Sequence, residues 1–277
     1  MPKLRRCTTF VLAVALLVGR LAAQAPEKPT QKPFEPEIGQ AGKDVVWVPT
    51  PPDLVEKMLD MAQVTADDYV IDLGSGDGRN IIAAARRGAR ALGVEFNADM
   101  VALSNYNAKA AGVSEKARFV EGDMYAADIS EATVLALFLL PSNMSQLRDK
   151  FFDLRPGSRI VVNTFQIPEW QPDDTAGVGG ACDTWCTAHL WIVPAKVGGI
   201  WQMPQGALTL EQNFQFVSGR LAAAASTDPV VNGRLRGAQI TFGIGNALYA
   251  GTVNGNRIEG TVTMGGATTP WAATRAN

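Results

Sequence analysis

The sequence has one histidine, His189, and only three cysteines in 277 residues. That supply falls short of a four-ligand structural zinc set, and no matching cluster occurs elsewhere, so a structural zinc site is not expected. No G-K-[ST] triplet occurs, which excludes a triphosphate P-loop. Beyond residue 25 no apolar run is long enough to span a bilayer. Basic clusters are also missing. Lys and Arg number 25 against 27 Asp and Glu, a net charge of −2. An acidic chain of this kind is a poor non-specific binder of nucleic acid.

What is present begins with the N-terminus. Lys3, Arg5 and Arg6 precede an apolar run at 10–19, and small residues follow at Ala22, Ala23 and Ala25. Residues 1–25 read as a cleaved secretory signal, and an uncleaved anchor is the alternative. The chain is therefore expected to be exported, to a periplasm or beyond the cell. Arg5-Arg6 is a twin arginine, but Cys7-Thr8-Thr9 fits the folded-export motif poorly, so ordinary secretion is the expected route. Cleavage removes four basic residues and no acid, leaving 21 Lys+Arg against 27 Asp+Glu and a net charge of −6. Cys7 leaves with the signal. Cys182 and Cys186 remain in C-D-T-W-C. A local disulfide, two free thiols or metal ligation with His189 are all open, with the disulfide favoured in an oxidising compartment. His189 leads into L-W-I-V and reads as a strand-edge residue.

Residues 26–42, with Pro26, Pro29, Pro33 and Pro36, read as a Pro-rich tether. From 43 to 197 strand and helix alternate. Thr50 is placed to cap a helix through Leu54–Ala62, and Ser142 one over 142–152. Asn97 is placed to cap another, which Gly112 ends. Strands are expected at 69–73, 90–95, 117–121, 133–140 and 158–164, and L-W-I-V-P at 190–194 reads as a further one. Continuous apolar strands imply a parallel sheet covered on both faces. The fold class is thus α/β, a doubly wound, mostly parallel Rossmann-like sheet with its ligand at the strands' carboxyl ends. Residues 166–182 read as loop. From 198 to 277 short β-rich runs broken by Gly or Asn predict a small antiparallel all-β region. Asn254-Gly255 marks a hairpin turn. Ala222–Ala225 is compatible with a short helix.

The stretch Y-V-I-D-L-G-S-G-D-G-R-N at 69–80 is strand, glycine turn and helix start, the arrangement that brings a ligand against bare backbone. It is not G-x-G-x-x-G. Asp72 and Asp77 flank Gly74, Ser75 and Gly76, and carboxylates repel phosphate but suit an ammonium. Glu95 ends the second strand, where a carboxylate accepts ribose hydroxyls. Asp123, beside Met124, ends the third, placed for an adenine amino group. Ammonium, ribose and adenine in that order describe S-adenosylmethionine.

The series V-I-D-L-G-S-G-D-G-R, G-V-E-F-N and V-E-G-D-M resembles that of class I (seven-strand) S-adenosylmethionine-dependent methyltransferases over about 45–165. With V-W-V-P-T-P-P ahead of it and F-L-L-P after the fourth strand, it is similar to the small protein-lysine N-methyltransferases. The resemblance implies S-adenosylmethionine as cofactor. It assigns the methionine part to Asp72, Gly74, Gly76 and Asp77, the ribose to Glu95 and the adenine to Asp123. It implies a methyl acceptor that is a protein lysine amine, with Val48–Pro51 folded over the cofactor. Trp47, Thr50, Leu140, Pro141, Ser142 and Asn143 are the substrate-side candidates. No catalytic residue is singled out. Leu140-Pro141-Ser142-Asn143 is not the D/N-P-P-Y/F of enzymes that methylate base amino groups. An export signal and a β tail are foreign to that family, so an exported binding or scaffolding module without catalysis is the alternative.

Overall fold

The computed structural model describes residues 34–276, Ala181 and Ala225 excepted. The predicted signal segment and the first part of the tether lie outside them. Strands β1 (Tyr69–Leu73), β2 (Arg90–Glu95), β3 (Ala117–Glu121), β4 (Val134–Leu137) and β5 (Arg159–Asn163) run parallel. β6 (Asp174–Gly177) and β7 (Thr187–Ile192) complete a seven-stranded sheet ordered β3-β2-β1-β4-β5-β7-β6. β7 is antiparallel to both neighbours. The strand order reverses beside β1, so a crevice opens at the carboxyl ends of β1 and β4.

Both faces are covered, which is why the strands carry apolar residues at successive positions. On one face Val70, Val134 and Val161 pack with α1 (Pro52–Met61), α2 (Arg79–Arg86) and α3 (Ala98–Ala110). On the other Ile71, Leu135 and Val162 pack with Met144, Leu147 and Phe151 of α4 (Pro141–Phe152) and with Trp170 and Trp191.

The Asn97 side chain caps α3, accepting from the Asp99 N–H at 2.9 Å. The other two predicted caps are corrected. Pro51 precedes α1 and Leu140 precedes α4, and neither helix has a side-chain cap. Each opens on a proline, whose missing N–H leaves one donor fewer to cap. Residues 174–177, expected as loop, form β6 outside β7. His189 therefore sits inside the sheet, not at its edge. Its Nδ1 lies 2.8 Å from Thr175 Oγ1 and its Nε2 3.1 Å from the Thr164 carbonyl.

From residue 199 the chain makes eight antiparallel strands, β8 (Gly199–Met203), β9 (Gly206–Asn213), β10 (Phe216–Ala223), β11 (Thr227–Arg236), β12 (Gln239–Ile244), β13 (Ala247–Asn254), β14 (Arg257–Met264) and β15 (Ala267–Arg275). They close into a barrel by pairing β15 with β8. Alternate residues point inward, and Trp201, Phe242, Tyr249 and Trp271 fill the interior. Ala222 and Ala223 belong to β10 and not to a helix. Gly255, at φ +57, makes the predicted turn between β13 and β14.

The barrel docks away from the crevice. Phe214 stacks on Trp170 at 4.9 Å and meets Phe152 edge-on at 5.3 Å. Arg234 pairs with Asp173 at 2.9 Å. Gly237 packs against Gly157, at the amino end of β5.

Candidate active site

The turn after β1 is braced by hydrogen bonds with the neighbouring elements. Gly74, Gly76 and Gly78 have φ of +76, +56 and +83, where a side chain is strained. A Cβ on Gly76 would lie 2.8 Å from the Trp47 indole nitrogen. The Gly74 N–H donates to the Val94 carbonyl at 2.8 Å, and Ser104 Oγ donates to the Gly76 carbonyl at 2.7 Å. The Gly76 and Asn97 N–H groups donate to the two oxygens of Glu95 at 3.0 and 2.9 Å. Glu95 thus ties the turn to the end of β2.

Asp72 lies within this frame and is 3% exposed. Its Oδ2 accepts from Asn80 Nδ2 at 3.0 Å, while Oδ1 has no hydrogen-bond partner. Burial, reinforced by the charges of Glu95 and Asp77, pushes its carboxyl well above the usual range despite the Asn80 bond. A buried acceptor without a donor is costly, and a cationic group placed against Oδ1 removes that cost. The residues present therefore fit the ammonium end of S-adenosylmethionine.

Asp77 departs from expectation. Arg79 grips both its oxygens, Nε to Oδ1 at 2.9 Å and Nη2 to Oδ2 at 2.6 Å, and also donates to the Thr50 carbonyl. Asp72 is left as the buried carboxylate with a vacant acceptor. Asp123, beyond β3, accepts from Lys43 Nζ at 2.7 Å and from the Tyr125 N–H at 2.8 Å. The Lys43 bond, then that N–H, hold its carboxyl below the usual range. Lys43 also lies 4.8 Å above the Phe96 ring.

Three cavities follow one another along the carboxyl edge of the sheet. The first, about 70 Å³, lies between the Asp72–Asp77 turn, Glu95 and residues 40–50. The second, about 40 Å³, lies between Glu95, Phe96, Asp123 and Met124, the last of these largely buried. The third, about 110 Å³, is walled by Phe138, Leu139, Leu140, Phe165 and Trp185. The first and third share Val45, Val46, Val48 and Phe138. The roof is a small hairpin in which the Gly39 N–H donates to the Trp47 carbonyl and the Trp47 N–H to that of Gln40. The last tether residues are therefore part of the site, because the turn at Gly42–Val45 folds them back over it.

The substrate-side candidates separate. Trp47 lies against Gly76, and Thr50 is buried with its hydroxyl accepting from Asn163 Nδ2 at 3.2 Å. Both line the first cavity. Leu140 lines the third. Pro141 and Ser142 are exposed, and Asn143 is buried, donating to the Tyr125 hydroxyl at 2.8 Å. Sequence reasoning missed Asn80, Arg79, Lys43, Phe138, Phe165 and Trp185. Phe138 and Trp185 stood inside stretches already singled out, F-L-L-P and C-D-T-W-C, and their aromatic character was the unused signal. Cys182 and Cys186 form a disulfide, S–S 2.07 Å. Among the described residues no cluster of three or more His, Cys, Asp or Glu could hold a metal, and no helix is long and apolar enough to cross a membrane.

Comparison with known proteins gives this geometry its context. Residues 72–174 match the family described as the ANTKMT methyltransferase domain. A protein-lysine N-methyltransferase of Saccharolobus islandicus is 42% identical over 137 residues, 48% of this chain and 85% of that protein. The adenine nucleotide translocase lysine N-methyltransferase of Mus musculus is 37% identical over 112 residues, 40% of this chain, and the chain spans 49% of its length. A crystal structure from Salinibacter ruber, described as an RNA methyltransferase in complex with S-adenosyl-L-homocysteine, is 44% identical. It aligns with a TM-score of 0.51 over 54% of this chain and 96% of that one. The crevice chemistry and these likenesses agree: the chain belongs to the class I S-adenosylmethionine-dependent methyltransferases, close to the protein-lysine N-methyltransferases.

Proposed function

We propose that this protein transfers methyl groups to lysine side chains of proteins, and does so outside the cytoplasm. The observation that carries the acceptor is the 42% identity to a protein-lysine N-methyltransferase along 85% of that relative. The export signal read at 1–25 supports the location.

Asp72 takes the methionine ammonium on its vacant Oδ1, with Gly74, Ser75 and Gly76 alongside and Asp77 orienting Arg79 beneath the Thr50 carbonyl. Glu95 takes the ribose hydroxyls on the lone pairs its two backbone donors leave. Asp123 takes the adenine amino group, Lys43 giving way to it, with Met124 lining the same end. Bound S-adenosylmethionine supplies an activated methyl group on a sulfonium. The chain's own contribution is alignment and exclusion of water, by the glycine turn below and the 39–50 hairpin above. No residue walling the third cavity is titratable. The acceptor amine therefore loses its proton to water before transfer.

The test is incubation of the signal-cleaved protein with methyl-labelled S-adenosylmethionine and envelope proteins of the source cell, followed by hydrolysis. Label recovered as methylated lysine supports the reading. In a parallel incubation with RNA of the source cell in place of the envelope proteins, label in RNA alone overturns the acceptor, and cofactor binding without any transfer overturns catalysis.

A further inference from the structure

The third cavity holds a feature that the cofactor chemistry does not use. Phe138, Phe165 and Trp185 come from the ends of β4 and β5 and from the loop before β7, far apart in sequence. Their rings converge: Phe138 to Phe165 at 6.0 Å, Phe138 to Trp185 at 5.6 Å and Phe165 to Trp185 at 5.5 Å. None is fully buried, and Trp185 is 36% exposed. This is not a core cluster, because its rings wall a cavity of about 110 Å³ that opens to solvent.

The backbone is in an uncommon conformation at one of the three rings and at the residue before another. Trp185 has φ +60 and Thr164, just before Phe165, has φ +59. Such conformations persist in non-glycine residues only where the surroundings impose them, and they gather at ligand sites. For Trp185 the constraint is the Cys182–Cys186 disulfide, which closes a short loop around it. Phe138 borders the cofactor cavity as well, so whatever enters between the rings meets the cofactor.

We propose that Phe138, Phe165 and Trp185 form an aromatic port for the alkylammonium head of the acceptor lysine, including its methylated forms. This rests on the lysine reading above and adds what selects the acceptor. The walls carry no counter-ion. The rings' electron-rich faces supply the attraction, which is strongest for a weakly hydrated quaternary ammonium. A port that keeps hold of the methylated head allows successive transfers to one lysine.

The experiment titrates the full signal-cleaved protein with an acetylated, amidated Nε-trimethyl-lysine probe and with its neutral isostere, in which carbon replaces the quaternary nitrogen. Titrations are run with and without S-adenosyl-L-homocysteine. The trimethyl-lysine probe is expected to bind at least about tenfold more tightly than the isostere. Trp185→Ala should bring that ratio within about twofold while leaving S-adenosyl-L-homocysteine affinity unchanged, and Trp185→Phe should restore part of it. Equal binding of the two probes overturns the port, as does an undiminished ratio in Trp185→Ala. Failure to bind S-adenosyl-L-homocysteine would instead strike the cofactor reading, since the titration without it still reports on the rings.

Discussion

The sheet and the barrel treat buried polar groups in opposite ways. In the barrel the indole N–H of Trp271 donates to the Ala250 carbonyl at 3.0 Å and that of Trp201 to the Val197 carbonyl at 2.8 Å. Apart from the Tyr249 phenol, the rest of the interior cluster is apolar. In the sheet Asp72, Ser75 and Asn80 are buried around the glycine turn, and each keeps an oxygen without a partner. A core that only has to be stable leaves few such groups. The sheet gives up stability at the crevice to keep acceptors open for a ligand. The barrel residues line none of the three cavities, and the one such oxygen among them, Gln215 Oε1, lies where that side chain donates to the Gln171 carbonyl at 2.6 Å, at the junction with the sheet.

The largest effect tests whether the two regions are independent. Trp201 is fully buried in the barrel. Trp201→Ala should cost about 3–5 kcal/mol of barrel stability. S-adenosyl-L-homocysteine affinity, measured by calorimetry at a temperature where the barrel is still folded, should stay within about twofold. A parallel fall in affinity would show that the barrel shapes the crevice.

Asp72 carries the next effect. Asp72→Ala should weaken cofactor binding by roughly a hundredfold or more, about 2.7 kcal/mol. Asp72→Asn should weaken it too, yet raise the unfolding midpoint of the cofactor-free protein. Its folded carboxyl lies above the usual 3.8, so ionising it opposes folding as pH rises past that value. The amide removes that penalty. A lowered midpoint in Asp72→Asn would mean the carboxylate is structural, and the contrast with the barrel would fail.

A smaller effect concerns the Trp185 loop. Replacing Cys182 and Cys186 together by serine frees the loop while leaving the first cavity intact. The KM for a lysine acceptor should rise by roughly three- to tenfold, with kcat and cofactor affinity holding, because uniform binding and not transition-state contact is lost. Steady-state kinetics on a lysine peptide check this, and a fall in kcat alone would assign the loop another role.

Much of this was legible in the sequence because its signals are local. The turn at 74–78 must be glycine-rich, the buried strands must be apolar, and Asn97 must carry a capping oxygen; each of these can be read within one short window. The rest depended on distance in sequence. D-T-A-G at 174–177 is too short and polar to announce a strand, so His189 read as an edge residue until β6 covered it. Arg79 lies two residues from Asp77, yet nothing in the spacing says that its guanidinium neutralises that acid. The aromatic port needs β4, β5 and β7 side by side, a neighbourhood that exists only once the sheet has formed.

The smallest effect follows from His189, the chain's only histidine, and it separates the regions by pH. Burial lowers its pKa from the usual 6.5, against the opposing bond to the Thr164 carbonyl. The unfolded chain therefore takes up this proton first. The neutral ring's contribution is fully present above 6.5 and is lost as pH falls from there towards its folded value. A second loss follows at lower pH in the same region. Burial alone would raise the Asp68 carboxyl, but bonds from the Thr65 N–H, the Thr133 hydroxyl and Arg159 hold it below 3.8, and that stability goes as pH falls through the folded value. The barrel contains no histidine, and its one shifted group, Tyr249, is raised by burial and responds only to alkali. Acid titration followed by circular dichroism should show the sheet weakening before the barrel. His189→Gln should remove the upper step while the lower one persists, and an upper step that survives the substitution would place its origin elsewhere in the sheet.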